Sequence, residues 1–330
     1  MVQNEWAQNA LAKNTAKSAQ QQGFIILLLC LLSLVGCSPK IIPQAVEGNF
    51  EGRIERIEFP SKHIGKRTVD VWLPVTYPAQ APYKVIYMQD GQMLFDAGQT
   101  WNKQEWKADE TISRLMGADS MQAVIVVGIW NAGPDRHAEY MPQKVYESCP
   151  LTFRDSLAHK TGGHALFSKP VYSDTYLKFI VNELKPYIDN KYKVEGNAAS
   201  TTIGGSSMGG LISLYAVCEY PAVFGSAICM STHWIGSFAL ERNPIPGQML
   251  TYLRKTLPVK GGHKFYFDRG TVGLESLYEN AQLEVDALLL AKYADTKKFR
   301  SLVYQGSDHS ETAWASRLNV PMIFLYPKTK

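Results

Sequence analysis

The chain has 330 residues, of which 45% are hydrophobic and 11% aromatic, a composition that indicates a globular protein with a large core and excludes a disordered one. Its 34 basic and 30 acidic residues give a formal charge of +4 at pH 7 without a dense basic block, which argues against a nucleic-acid-binding protein. Length alone does not decide between one domain and two, because α/β folds often use this length for one.

A short apolar run near the N-terminus predicts an export signal. The run FIILLLCLLSLV, Phe24 to Val35, follows two basic residues, Lys13 and Lys17. It is too short to span a membrane, since a spanning helix needs about 20 apolar residues, but it suits the hydrophobic segment of a signal peptide. Ordinary secretion or an uncleaved anchor stays an alternative, because the charged region before the run is unusually long.

The end of this run resembles a known processing site. LVGC, Leu34 to Cys37, is similar to the lipobox of bacterial lipoproteins, in which small residues precede a cysteine that is acylated and becomes the new N-terminus. The resemblance implies a signal peptide over residues 1–36, lipidation of Cys37 and stable attachment to a membrane through several acyl chains. Because Ser38 rather than aspartate follows the cysteine, it also implies a cell-envelope protein sorted to the outer membrane.

The remaining cysteines predict neither a disulfide framework nor a metal site. With Cys30 removed and Cys37 acylated, Cys149, Cys218 and Cys229 are left, and an odd number allows at most one disulfide. Cys218 and Cys229 lie in apolar runs, which favours buried free thiols. No CxxC or His-x-x-x-His spacing suggests a metal, so we expect no metal or other cofactor.

Beyond a polar tether at residues 37–48, apolar patterning predicts a series of strands. RIERIEF and RTVDVWL alternate polar and apolar residues, as in an exposed antiparallel pair, whereas KVIYMQ and AVIVVGI are continuous apolar runs typical of buried parallel strands. Later strand candidates are STTIGG, GSAICMS, HKFYFD and FRSLVY.

Helical patterns lie between the later strands, over Trp106 to Met116, Tyr172 to Ile188, Met208 to Glu219 and Leu274 to Ala291. Strands that alternate with helices predict an α/β fold with a mostly parallel central sheet and helices on both faces. We expect a single domain over residues 49–330. Within it, residues 143–170 have no regular pattern and are too long for a simple connection, so we interpret them as a lid or pocket wall.

The stretch TTIGGSSMGG, Thr201 to Gly210, predicts a nucleophile. It lies between a strand candidate and a helix candidate and contains Gly-x-Ser-x-Gly centred on Ser207, the pattern of a nucleophile elbow. Glycines permit the sharp turn that lifts the serine Oγ clear of the sheet, and the following helix points its backbone N–H groups at the site. Ser206 is the poorer candidate, because a window centred on it lacks the second glycine.

A serine hydroxyl needs a base, and three histidines follow Ser207 in the sequence. In proteins with a nucleophile elbow of this kind the chain order is serine, acid, histidine, so the base should follow the acid, beyond the last strand. His309, in YQGSDHSETAW, lies at that place. His263 precedes a strand candidate. His233, near the end of a strand and beside Trp234, is interpreted as a pocket-lining residue.

The acid that orients the imidazole should follow the strand KFYFD. The residues alone leave Asp268, Glu275 and Glu279 open at this point. Asp308 is adjacent to His309 and is interpreted as a turn former, because neighbours in a tight loop seldom face each other.

Six motifs extend this pattern along the chain: VIYMQDGQMLFD, WKADE, VVGIWNAGPDRHAEYMPQK, GGSSMGGLISLYA, YFDRGTVGLESLY and YQGSDHSETAWASRL. In this order they resemble the Putative esterase family of α/β hydrolases, which includes esterase D-like, feruloyl-esterase-like and enterochelin-esterase-like enzymes. The resemblance covers nearly all of Gly52 to Tyr326 and implies the α/β-hydrolase fold. It is specific to the family and says far less about the substrate.

The resemblance also implies roles for a catalytic triad. Ser207 is the nucleophile, His309 is the base, and the position of the family's acid matches Glu275. The family usually has aspartate there, so the longer side chain is a departure, and Asp268 is the fallback.

The resemblance also points to residues of an oxyanion hole and of a substrate pocket. The implied oxyanion hole uses the backbone N–H of Met208 and that of Gly91 or Gln92. Candidate substrate-pocket residues are Trp106, Arg136, His233 and Trp234. An ion pair within its own loop is the alternative role for Arg136, whose neighbours Glu139 and Tyr140 belong to the same motif.

The resemblance implies a serine carboxylic-ester hydrolase that works through an acyl-enzyme without a cofactor and acts on a small-molecule or glycan ester. A siderophore trilactone esterase of the enterochelin type is one alternative within this class. Two others are an acyltransferase that uses the same triad and an inactive envelope protein that binds glycan or lipid.

Overall fold

The computed structural model describes residues 41–158, 166–167, 169–238, 241–258, 262–293 and 297–328. The signal peptide and the lipobox cysteine Cys37 lie outside these ranges. The chain from Ile42 to Lys330 forms one compact unit.

A nine-stranded sheet, in the order β1-β2-β3-β5-β4-β6-β7-β8-β9, forms the centre of the fold. The first three strands are antiparallel to their neighbours, and β3 is antiparallel to β5, whereas every pair from β5 to β9 is parallel. The strands are β1 Gln44–Val46, β2 Arg53–Ser61, β3 Gly65–Leu73, β4 Lys84–Gln89, β5 Val124–Ile129, β6 Thr201–Ser206, β7 Ser226–Met230, β8 Lys264–Arg269 and β9 Phe299–Val303.

The helices of the described residues lie mostly between the parallel strands. The α-helices are α1 Ala108–Gly117, α2 Arg136–Tyr140, α3 Gln143–Ser148, α4 Leu151–Ala158, α5 Ser173–Phe179, α6 Lys185–Lys191, α7 Met208–Glu219, α8 Ile245–Thr256, α9 Glu279–Lys292, α10 Glu311–Ala315 and α11 Asn319–Leu325. A π-helical turn, Ile180–Leu184, joins α5 to α6. Short 3₁₀ turns occupy Gly91–Met93, Gly133–Asp135, Ala198–Ser200 and Gly273–Tyr278. None of these helices is long and apolar enough to cross a membrane.

Side chains alternate between the two faces of the sheet along each strand, and helices pack on both faces. On one face, Ile86 and Met88 of β4 share a buried cluster with residues of α1 and α11 such as Ile112 and Met322. On the other face α7 lies against β6 so closely that a Cβ added to Gly205 would approach the α7 backbone to 3.1 Å. The predicted α/β fold with a mostly parallel sheet is therefore confirmed.

The structure differs from the sequence-based expectations at three places. Gln44–Val46, within the predicted tether, pairs with β2 as an edge strand. The segment 143–170, which was expected to be irregular, contains two short helices, α3 and α4. The sequence does not indicate them, because their few apolar positions give no clear helical period. Helix α8 was not expected, since Pro246 and Gly247 in its first turn interrupt the pattern. Cys149, Cys218 and Cys229 are free and buried, which confirms that prediction for the last two.

Candidate active site

Ser207 occupies a strained turn between β6 and α7. Its backbone has φ 56° and ψ −125°, a conformation that residues with a side chain rarely adopt. The turn is held from both sides, because the Ser207 N–H donates to Met230 O at 3.0 Å and the Ser207 carbonyl accepts from the His233 N–H at 3.1 Å. Glycine is required at the flanking positions, since a Cβ on Gly205 or Gly209 would come within 2.9 or 3.0 Å of Gln89 Cβ. The local geometry is that of a nucleophile elbow.

Glu275 and His309 meet through a short polar contact. Glu275 Oε1 lies 2.8 Å from His309 Nδ1, and Glu275 Oε2 accepts a hydrogen bond from the Gly270 N–H at 2.9 Å. The carboxylate is fully buried and belongs to the 3₁₀ turn Gly273–Tyr278. Because an ionised carboxylate can only accept, Nδ1 carries the proton and a neutral His309 presents its Nε2 lone pair on the other side of the ring.

The other candidate acids have different partners. Asp268 is buried and accepts hydrogen bonds from Arg317 Nη2 and Tyr266 Oη, both at 3.0 Å. Burial raises the pKa of Asp268 to about 6, against the opposing effect of the Arg317 charge. Glu279 pairs with Arg269 at 2.6 Å, and Asp308 accepts from a neighbouring serine. Glu275 is thus the one of these four carboxylates that contacts His309.

Ser207 and His309 line the same cavity of about 680 Å³. The hydrogen bonds of the described residues include one between His309 and Glu275 but none between Ser207 Oγ and His309. Catalytic hydrogen bonds are often long before a substrate binds, so the shared cavity is the relevant observation. Ser206 lines the cavity as well.

The predicted oxyanion residues lie on the turn after β4 and at the start of α7. Gln92 lines the cavity, and Met208 is the first residue of α7, where backbone N–H groups have no acceptor within the helix. Gly91 packs so tightly on β5 that an added Cβ would lie 2.3 Å from the Gly128 carbonyl carbon.

An ion pair fixes the residue before this turn. Asp90, at φ 56°, accepts hydrogen bonds from Arg136 Nε at 2.6 Å and Nη2 at 2.7 Å, and from Asn131 Nδ2 at 2.7 Å. Arg136 therefore has an ion-pair partner within the site, Asp90, and both residues line the cavity.

Two of the four predicted pocket residues line the cavity and two do not. Trp106 and Arg136 face it. His233 and Trp234 are not among the residues that line the cavity; both are buried, and the His233 N–H donates to the Ser207 carbonyl. Trp234 donates from Nε1 to Gln282 Oε1 at 2.9 Å and stacks on Phe267, so its environment is that of the core.

Three aromatic residues around the site are not among those predicted from the sequence. Trp101 stands 85% exposed on the cavity wall, and Trp314 packs edge to face against the His309 ring with centroids 5.0 Å apart. Tyr278 also packs edge to face against the His309 ring, with centroids 5.6 Å apart. A signal for Tyr278 existed, because it follows Glu275 by three residues and side chains at this spacing share one side of a 3₁₀ turn.

No group of three or more His, Cys, Asp or Glu side chains with the geometry of a metal site occurs in the part of the chain that the structure describes.

Comparison with protein families gives one model that matches most of the chain. The model described as "Putative esterase" matches residues 61–325. Two curated proteins of Bacillus subtilis are similar in sequence, YjcH at 25% identity over 191 residues and YbbA at 26% over 172 residues, and both are described as uncharacterised. The alignments cover 58% and 52% of this chain and 65% and 58% of those relatives.

Solved structures share the fold at low sequence identity. A ferulic acid esterase superposes with a TM-score of 0.57 at 19% identity over 84% of this chain and 98% of its own. The BES protein from Bacillus cereus gives a TM-score of 0.58 at 17% identity over 88% and 99% of the two chains. The enterobactin esterase FES from Shigella flexneri gives 0.57 at 18% identity over 86% of this chain and 60% of its own.

Proposed function

The chain belongs to the Putative esterase family, and from this premise we propose that it hydrolyses carboxylic esters with Ser207 as nucleophile, His309 as base and Glu275 as acid. One observation carries the proposal: the 2.8 Å contact between Glu275 and His309 lies beside the cavity that Ser207 and His309 share. A base oriented by a buried carboxylate and placed next to a serine on a strained elbow is the arrangement that acyl transfer requires.

The reaction proceeds in two matched halves. His309 Nε2 takes the Ser207 proton as Oγ bonds to the acyl carbon, and the carbonyl oxygen gains negative charge. The N–H groups of Met208 and of Gly91 or Gln92 stabilise that charge. The alcohol then leaves with the proton that His309 held. Water repeats the sequence on the acyl-enzyme and releases the acid.

The charges around the cavity favour an uncharged substrate. The Arg136 guanidinium is matched by the Asp90 carboxylate, and the carboxylate of Glu311 also faces the cavity, where it accepts from Asn102 Nδ2 at 2.7 Å. A polyanionic ester, such as an iron-loaded catecholate lactone, would meet no unmatched cation among these residues. We therefore propose an uncharged ester with an aromatic or sugar moiety, of the size that a cavity of about 680 Å³ admits.

The test is hydrolysis of p-nitrophenyl esters of graded acyl length, together with methyl ferulate and an enterobactin-type trilactone. Wild type is compared with Ser207→Ala and with Ser206→Ala, which removes a hydroxyl from the same cavity. We expect Ser207→Ala to lose at least about 10³-fold in rate, and Ser206→Ala to stay within a few-fold of wild type.

Each contrary outcome points elsewhere. Retained turnover in Ser207→Ala would refute the serine mechanism. Preferred turnover of the trilactone would favour the siderophore esterase, and product that depends on an added alcohol would favour the acyltransferase. A folded wild type that cleaves none of these esters but binds polysaccharide would support the inactive binding protein.

We also propose that Cys37 is lipidated and holds the enzyme at the outer membrane, on the strength of the sequence LVGC. Cys37→Ser should move the protein from the membrane fraction to the soluble fraction, and the mass of the mature wild-type N-terminus should correspond to an acylated cysteine. A mature N-terminus at another residue would refute the proposal.

A further inference from the structure

The side chain of Ser231 connects the nucleophile elbow to an aromatic ring that packs on His309. Ser231 directly follows β7, whose last residue, Met230, accepts the Ser207 N–H at 3.0 Å. The Ser231 Oγ accepts a hydrogen bond from Trp314 Nε1 at 2.9 Å, and both residues are buried. The Trp314 ring in turn packs edge to face against the His309 ring, with centroids 5.0 Å apart. One short path of contacts therefore joins the nucleophile to the base.

Ser231 holds this position with a strained backbone. Its φ is 47°, in the left-handed region, where a glycine would fit without steric conflict. The side chain is fully buried, and its Oγ accepts hydrogen bonds from two side chains, Trp314 and Arg317, both at 2.9 Å. Strain that is kept at a site next to the nucleophile indicates a role for the hydroxyl beyond the turn itself.

The hydrogen bond with Glu275 does not by itself fix the direction of the base. It holds the His309 ring at Nδ1 only, and a ring held at one atom can swing about that atom and move Nε2 away from the nucleophile. A large ring in edge-to-face contact limits this swing. Trp314 can limit it because its own ring is held, by the Ser231 hydroxyl at the indole N–H and by packing against Trp106, with centroids 5.6 Å apart.

We propose that Ser231 is a positioning residue for the base: its hydroxyl fixes the Trp314 ring, and that ring keeps His309 Nε2 directed towards Ser207. The inference rests on the proposed function and extends it to a residue outside the triad. Ser231 is not among the residues that line the cavity, whereas Trp314 is. Its effect on turnover therefore passes through Trp314 and not through contact with the substrate.

Removal of the hydroxyl gives the first test. In Ser231→Ala the indole loses its acceptor, so we expect kcat on p-nitrophenyl butyrate to fall about tenfold at an unchanged KM. The loss is partial because Tyr278 also packs against the His309 ring. The rate of Ser207 labelling by a fluorophosphonate should fall by a similar factor, since labelling needs the same base. Ser231→Gly adopts the turn without strain and should show the same loss, which separates the hydroxyl from the backbone conformation.

Removal of the indole N–H gives the second test. Trp314→Phe keeps an aromatic ring beside His309 but cannot donate to Ser231, so we expect kcat to fall by about the same factor as in Ser231→Ala. Both changes break the same hydrogen bond, and residues in direct contact do not contribute additively. The double variant Ser231→Ala/Trp314→Phe should therefore be no slower than the slower of the two single variants.

Two control variants remove the same chemical groups elsewhere in the fold. Trp72→Phe removes a buried indole N–H that donates to the Glu51 carbonyl at 2.8 Å. Ser301→Ala removes a hydroxyl that donates to Asp286 Oδ2 at 2.8 Å. Both variants should keep kcat and the labelling rate within twofold of wild type.

Three results would overturn the inference. The first is a kcat within twofold of wild type in Ser231→Gly or in Trp314→Phe. The second is a raised KM with an unchanged kcat in the Ser231 variants, which would mean that the hydroxyl shapes the cavity. The third is a double variant in which the two losses multiply. A wild type that neither turns over esters nor labels at Ser207 would instead refute the proposed function.

Discussion

Glu275 Oε1 lies 2.8 Å from His309 Nδ1, while Oε2 of the same carboxylate accepts the Gly270 N–H at 2.9 Å. Both carboxylate oxygens are thus engaged, which fixes the plane of the carboxylate and, through it, the plane of the imidazole. The longer side chain of glutamate is accommodated because Glu275 starts from a 3₁₀ turn close to Gly270. A Cβ added to Gly270 would lie 3.0 Å from Glu275 Cγ.

Replacement of Glu275 should affect turnover rather than folding. In Glu275→Gln an amide N–H₂ can face His309 and favour the wrong tautomer, so we expect kcat to fall about 10³-fold to 10⁴-fold. Glu275→Asp should lose less, because the charge is kept. The measurement is kcat on p-nitrophenyl butyrate, normalised to active sites by fluorophosphonate labelling.

The control is Asp268→Asn, since it leaves the buried Arg317 without its carboxylate. We expect this variant to lose about 3–5 kcal/mol of unfolding free energy, measured by urea denaturation, and to keep its turnover per folded molecule. The reverse pattern, with turnover lost in Asp268→Asn and kept in Glu275→Gln, would identify Asp268 as the acid.

The contrast between these two carboxylates shows how far the sequence could reach. The elbow around Ser207 is predictable because its glycines satisfy a local steric requirement that the sequence states directly. Asp268 lies near the end of β8 and Glu275 lies in the turn after it, and only the three-dimensional position of Arg317, 49 residues from Asp268 in sequence, separates their roles. Tyr278 is an intermediate case, because its spacing from Glu275 places it beside the site, whereas its contact with His233, 45 residues away, is visible only in the fold.

The ion pair between Asp90 and Arg136 should support the oxyanion turn. Asp90→Asn removes the charge that holds Arg136 and loosens the backbone of Gly91 and Gln92, so we expect kcat to fall about tenfold with a smaller change in KM. Arg136→Lys should fall in the same direction, because an ammonium cannot reproduce the two parallel hydrogen bonds. Lys185→Met, at a pair between α6 residues, is the control and should keep kcat. Equal kcat in all variants would show that the turn is rigid without the pair.

Asp109 should make stability depend on pH. It is 1% exposed and accepts the Glu51 N–H at 2.9 Å, and its other oxygen has no partner among the described residues. Burial raises the pKa of Asp109 to about 7, helped by the neighbouring Glu110. The folded state therefore keeps a proton that the unfolded chain releases near pH 4, and stability falls as the pH rises from about 4 to about 7.

Asp109→Asn removes this titration and keeps an acceptor for Glu51. Relative to wild type, we expect it to gain about 1–2 kcal/mol in unfolding free energy between pH 5 and pH 8, measured by urea denaturation at both pH values. The control Asp119→Asn changes a carboxylate whose side chain is 78% exposed, and it should show no such gain. A parallel pH dependence for Asp109→Asn and wild type would contradict the prediction.

Trp101 should contribute to binding of large substrates only. An indole that is 85% exposed on the cavity wall gains little for folding, but it offers a flat apolar surface to an aromatic ring or a sugar face. In Trp101→Ala we expect KM for a feruloylated sugar to rise about tenfold, since such a contact contributes about 0.5–1.5 kcal/mol beyond the buried area. For p-nitrophenyl acetate, a smaller ester that offers less surface for the indole to contact, kcat/KM should stay within twofold, and Trp101→Phe should restore most of the affinity. Leu283→Ala, which truncates another exposed apolar side chain on α9, serves as the control and should alter neither substrate. If KM rises equally for both esters, Trp101 shapes the cavity as a whole and does not select the substrate.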